Sequence, residues 1–145
     1  MRKRGSQDQA LGRSRGGLST KVHLATDGRG QPIRFILTGG QTHDVTQAIP
    51  LLAGLRTEQV IADKGYDSDR VLEFIQSQGA TAVIPPRSRR KVQRVYDRER
   101  YKKRNLIERA FNKLKHWRRI ATRYDRRASY YLAFLHLAAA VTWSN

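Results

Sequence analysis

Val60-Ile61-Ala62-Asp63-Lys64-Gly65-Tyr66-Asp67-Ser68-Asp69-Arg70-Val71-Leu72-Glu73-Phe74-Ile75 opens the stretch that decides the fold, and Ala82-Val83-Ile84-Pro85-Pro86 closes it. Val60-Ile61-Ala62 is a short apolar run of the kind buried in parallel sheets, and it leads straight into an acidic, glycine-containing loop. Ser68 or Asp69 can cap a helix that carries Val71, Leu72 and Ile75 on one face and stops near Gly79. Ala82-Val83-Ile84 is a second short strand, ended by two prolines that offer no amide to a ladder. Strand, helix and strand in this order predict a βαβ crossover.

Working outward, residues 20–26 alternate with Val22 and Leu24 on one side, Asp27-Gly28-Arg29-Gly30 supplies turn residues, and residues 32–38 read as a returning strand. This is a β-hairpin. Asp44 is placed to cap an apolar-periodic helix over residues 45–55, with Ile49, Leu52 and Leu55 on one face and Pro50 awkwardly inside it. After Pro86 a polar basic loop reaches about residue 98, and a helix over about residues 99–119 turns Leu106, Ala110, Phe111 and Leu114 inward. A last helix, over about residues 129–143, is apolar nearly all round and is expected to be buried against the sheet or in a partner. Residues 1–19, with four glycines and no apolar periodicity, read as a basic arm or connector outside the core. The fold class is α/β.

The chain has 145 residues and 29 Lys/Arg against 12 Asp/Glu, a formal net charge of +17. Its 39% apolar residues suffice for a core, so a fully disordered polycation is excluded. The charge is concentrated. Residues 87–127 hold 18 Lys/Arg and four acidic residues, a net +14, while the remainder carries only +3. A field of that density attracts phosphate backbones and releases their counterions on binding, which points to nucleic acid. Tyr96, Tyr101, Phe111, Trp117 and Tyr124 are interleaved with it, and could stack on unpaired bases or line the buried side of helices. No cysteine is present, so disulfides and thiolate metal sites are excluded. No leader-like apolar segment follows Met1, and the longest apolar stretch contains His136 and is too short to span a bilayer. The reading is a soluble, cytoplasmic, nucleoid-associated protein that does not use membranes.

Two carboxylates stand out against this cationic background. Asp63 follows a buried strand at the carboxyl end of a parallel pair, where open α/β sheets place their sites, and it could equally cap the loop through nearby amides. Glu108 lies mid-helix among Arg104, Arg109, Lys113 and Lys115, and could be an ordinary helix ion-pair residue. Together they supply hard oxygen ligands beside a basic face, the donor type that divalent-metal phosphoryl transfer needs. His23 and His136, on a strand and an apolar helix, read as satisfied core residues, and His43-Asp44 as a turn histidine and a helix cap.

Tyr101, Arg104, Glu108 and Lys115 match, at every position, a motif of Tyr, two residues, Arg, three residues, Glu, six residues, Lys. On this motif the sequence resembles bacterial insertion-sequence transposases of the DDE type, close to the group named after insertion sequence five. The residues Ile61 to Ser68, the run Arg15-Gly16-Gly17-Leu18-Ser19-Thr20-Lys21-Val22-His23-Leu24, the Thr38-Gly39-Gly40-Gln41-Thr42-His43-Asp44 segment, and Arg123-Tyr124-Asp125 followed by Tyr131-Leu132-Ala133-Phe134-Leu135 resemble further landmarks of that family. The resemblance runs from about Gly5 to the C-terminus. It implies a ribonuclease H-like mixed sheet with flanking helices, in which Asp63 is the second catalytic Asp and Glu108 the catalytic Glu. Both would be ligands of Mg2+, or of Mn2+ in its place, while Tyr101, Arg104 and Lys115 would position DNA. The implied chemistry is metal-dependent hydrolysis and strand transfer at insertion-sequence ends.

In such a family the first catalytic Asp lies on a central strand upstream of the Arg15 segment, and neither Asp8 nor Asp27 matches its position. The expectation is therefore residues 20–145 as a partial catalytic domain with at most two of three metal-ligating carboxylates and open sheet edges. The missing strand would come from a transposase segment encoded in an upstream frame, or else the chain is a truncated remnant, inactive alone. The partners expected are DNA of transposon ends and target, and a homodimeric or heterodimeric transposase. The alternative is a non-catalytic basic DNA-binding protein that inhibits intact transposase; an RNA-binding protein would explain the charge but not the Tyr-Arg-Glu-Lys spacing.

Overall fold

A computed structural model describes residues 12–14, 17–117, 120 and 128–144, and its elements make a mixed α/β architecture in two units. The first unit spans Met1–Thr42 and Leu106–Asn145, the second His43–Asn105.

In the first unit, β2 (Gly17–Thr26) and β3 (Pro32–Gly39) form the expected hairpin, antiparallel from Thr20 opposite Gly39 to Ala25 opposite Arg34. The turn closes because one Asp27 carboxylate oxygen accepts from the amides of both Arg29 (2.8 Å) and Gln31 (3.0 Å), while Gly30 takes the left-handed φ of +84° that favours glycine. Within the stretch expected to be only an arm or connector, a strand forms: β1 (Gly12–Ser14) pairs antiparallel with Gly17–Ser19 of β2. Two glycines and a basic composition hid it, because a ladder this short needs backbone amides rather than an apolar face. Residues 1–11, Arg15-Gly16 and Arg123-Tyr124-Asp125 lie outside the described residues.

The core of this unit joins Leu24 and Phe35 of the hairpin to Ala110 and Leu114 of α4 (Asn105–Lys115) and to Tyr131, Leu135 and Ala138 of α5 (Ala128–Trp143). A fully buried leucine such as Leu114 or Leu135 contributes about 2 kcal/mol. The Tyr131 hydroxyl donates to the Ile120 carbonyl at 2.6 Å, so its burial leaves no orphaned polar atom. His23 is the satisfied core histidine expected, with Nε2 2.6 Å from the Thr38 hydroxyl. His136 is not: it is exposed and meets Phe35 edge-on at 5.2 Å. Leu137 and Val141 of α5 are exposed as well, so the helix buries only part of an all-round apolar surface.

The second unit holds the βαβ crossover. β4 (Gln59–Ile61) and β5 (Thr81–Val83) are parallel, in register from Gln59 opposite Thr81 to Ile61 opposite Val83. Between them runs α2 (Asp69–Ser77), capped by Ser68, whose hydroxyl accepts from the Val71 amide at 3.2 Å, and ended beside Gly79 at φ +76°. Ala48, Val71, Ile75 and Ile84 form its core. The helix expected over residues 45–55 is shorter and begins with a 3-10 turn, Asp44–Gln47, before α1 (Ala48–Leu52). Pro50 explains this, since it falls in the first turn of α1, where its missing amide costs no bond. Asp44 is not the cap: it stands inside the turn, and His43 precedes it without a side-chain cap bond.

The single helix expected over residues 99–119 is also corrected. It is α3 (Arg98–Tyr101), a 3-10 turn (Lys102–Arg104) and then α4. The tighter turn falls on Lys102-Lys103-Arg104, between the two α-helical segments. Among the described residues no helix is long and apolar enough to cross a membrane.

Candidate metal and nucleic-acid site

Asp63 sits just beyond β4, and its extended backbone turns the chain into a 3-10 turn at Lys64–Tyr66. One carboxylate oxygen accepts from the Gly65 amide at 2.8 Å. A β-carbon on Gly65 would stand 2.8 Å from that same oxygen, so the glycine lets the backbone approach the acid. The capping role open in the sequence is thus real, and it leaves the second oxygen toward Arg104 Nη2 at 3.5 Å. Both side chains are about one-third exposed, at 37% for Asp63 and 31% for Arg104, so the contact is long and solvent-screened. Asp63 and the motif residue Arg104, 41 positions apart, therefore meet. Burial raises the Tyr66 phenol above its ordinary range, helped by the negative charges of Asp44 and Asp63, so its proton stays on beside the acid.

Asp67, four residues on, was not singled out by the sequence. Its side chain is fully buried. One oxygen accepts from the Arg87 amide and from Arg90 Nε, each at 2.7 Å, and the other from Arg94 Nη1 at 2.9 Å. Burial pushes its pKa up, but the Arg87 amide and the two guanidinium groups outweigh this and hold it below the ordinary carboxylate value. Arg87 reaches back with its guanidinium to the carbonyls of Lys64 (3.3 Å) and Gly65 (3.0 Å). The basic loop after Pro86 is tied in this way to the loop that carries Asp63. Only a position in a strand-end loop hinted at Asp67, since its partners lie 20 to 27 residues away.

Tyr101 ends α3 with its ring edge-on to Tyr96 at 5.7 Å, and Arg98 lies 5.6 Å from the Tyr96 ring centre. Tyr96 and Tyr101 thus pack on one another. Glu108 stands in the first turn of α4 and Lys115 is its last residue, both exposed. A separation of seven residues is about two helical turns, so they share one face about 10 Å apart along the axis. The structure therefore brings Asp63 and Arg104 together in the second unit and sets Glu108 and Lys115 on one helix face of the first. Among the described residues no three His, Cys, Asp or Glu side chains converge to hold a metal ion. The hard oxygens of Asp63 suit a divalent cation in chemistry but do not make a complete ligand set.

The description "transposase DDE domain" matches residues 2–143. The chain belongs to the DDE transposase family. This DDE transposase chain is 41% identical to a protein named as a transposase for insertion sequence element IS6501 of Brucella ovis, across 87% of its own length and 98% of the relative's. It is 34% identical to one named as a transposase for insertion sequence element IS402 of Burkholderia cepacia, across 87% of this chain and 64% of that relative. The transposase chain thus spans under two-thirds of the second relative's length. No solved structure matches it.

Proposed function

We propose that this chain carries out metal-dependent phosphodiester hydrolysis and strand transfer on DNA at insertion-sequence ends, in a ribonuclease H-like domain of the insertion sequence five group. The observation that carries the reading is the meeting of Asp63, just beyond a half-buried parallel strand, with Arg104 of the Tyr-Arg-Glu-Lys motif. Asp63 and Glu108 are the residues that would hold a divalent cation, Mg2+ or Mn2+. Such a cation, when bound, activates the attacking oxygen and neutralises charge on the phosphate. Arg104 serves as a phosphate contact; Tyr101 and Lys115 extend the DNA-binding surface. The +17 charge supports a polyanionic partner, and the nucleoid is where the protein would meet it.

The test is cleavage of a labelled duplex carrying the element's end, with Mg2+ and the full chain, alone and with a second polypeptide translated from the upstream frame. Cleavage that falls at least a hundredfold in Asp63→Asn and Glu108→Gln is expected. Cleavage that survives both substitutions sinks the assignment. Binding without cleavage in either mixture, weakened by Arg104→Ala or Lys115→Ala, would favour a non-catalytic DNA-binding inhibitor instead.

A further inference from the structure

The basic loop at residues 85–97 presents an anomaly of burial. It has no helix or strand, yet its backbone is fixed at several points. Arg90 and Arg94 turn inward to Asp67, Arg90 also reaches Asp69 at 2.8 Å, and Arg94 donates to the Ile84 carbonyl at 2.7 Å. The Gln93 amide bonds the carbonyls of both Arg87 and Arg90 at 2.9 Å. Between and beyond these anchors stand two valines. Val92 is 79% exposed and Val95 is 96% exposed. A free loop could fold such side chains inward; here the neighbouring arginines occupy the inward positions, so the apolar groups are forced into water. Arg89 and Lys91, beside them, are exposed as well.

A scattered exposed valine needs no explanation, but two on one anchored loop, preceded by outward cations, make a surface with two chemistries. The cations suit phosphates. The short apolar side chains suit the groove floor, where thymine methyls and sugar carbons are reached, and where DNA-binding proteins insert apolar groups between backbone contacts. A net charge of +14 over residues 87–127 selects a polyanion over an apolar protein partner.

We propose that residues 85–97 form a DNA-reading finger, shaped from beneath by the buried Asp67, in which Val92 and Val95 press on the bases while Arg89 and Lys91 hold the flanking phosphates. This rests on the reading of the chain as a DNA-acting transposase and assigns that activity a contact outside the Tyr-Arg-Glu-Lys motif.

The experiment measures binding of the full chain to a labelled duplex carrying the element's end across a salt series. In the double variant Val92→Ser/Val95→Ser affinity is expected to fall about tenfold with an unchanged salt slope, because no counterion-releasing contact is lost. In Arg89→Ala/Lys91→Ala the slope is expected to drop by about 2. The valines are in water, so their replacement removes little folded-state packing. As a second readout, the chain has no cysteine, and Val95→Cys places a single thiol on the loop. Its alkylation is expected to slow at least tenfold when duplex is bound. In the control Gln76→Cys, toward the far end of α2 from the Asp69 anchor, alkylation is expected to proceed at an unchanged rate. Wild-type affinity in the valine double variant, or an unprotected thiol at position 95 in a DNA-bound chain, overturns the finger while leaving DNA binding intact. Failure of the wild-type chain to bind duplex overturns both.

Discussion

Asp67 is the best-connected acid in the second unit, and its chemistry fixes a pH dependence. Its pKa in the folded protein lies below the ordinary value, so on acidification the unfolded chain takes up this proton before the folded one does. The stabilisation is therefore complete above about pH 4 and is lost as pH falls through the lowered folded value. Asp67→Asn is expected to cost about 2 kcal/mol at pH 7, less than a sealed pair because Arg90 and Arg94 keep 29% and 30% of their side chains in solvent. Urea midpoints of wild type and variant at pH 7 and pH 3 check this: the gap is expected to narrow at the lower pH, and an equal gap at both would contradict it. Asp63 and Asp67 differ in how far sequence could read them. Asp63 ends an apolar run, a local pattern that announces a strand-end acid. Asp67 is defined by arginines on a loop without periodicity, and only folding brings them to it.

Elements were legible where one local rule dominated. Alternation and an Asx turn reveal β2 and β3, and Ser68 with Gly79 brackets α2, because caps and turns act within a few residues. Removing that cap by Ser68→Ala is expected to cost about 1 kcal/mol, since the Val71 amide loses its acceptor. Thermal denaturation checks it, and Ser68→Asp is expected to restore most of the loss. Elements are hidden where no single local rule decides. Apolar spacing alone would run one helix through residues 99–119, but the chain tightens into a 3-10 turn at Lys102–Arg104 and Asn105–Lys115 packs inward through Ala110 and Leu114. In α5 the apolar pattern has no period to say which side is inward, so the exposure of His136 could not be read from it.

At the scale of the molecule, the charge pointed to a polyanionic partner, the strand and helix patterning to an α/β fold, and a spaced four-residue motif to the family. Sequence could not show that the motif straddles two units, with Tyr101 and Arg104 in one and Glu108 and Lys115 in the other. That division also bears on the order in which the chain can become native. The second unit is one continuous stretch, whereas the first closes its core only when Leu24 and Phe35 meet Leu114, Leu135 and Ala138 from the opposite end of the sequence. Contacts of such high sequence separation form late, because loop-closure entropy opposes them. During synthesis the βαβ unit can acquire its hydrogen bonds while the hairpin still waits for α5 to be translated. Pulsed hydrogen exchange during refolding is expected to protect amides of β4, α2 and β5 before those of β2 and β3. Simultaneous protection would mean that the two units fold as one.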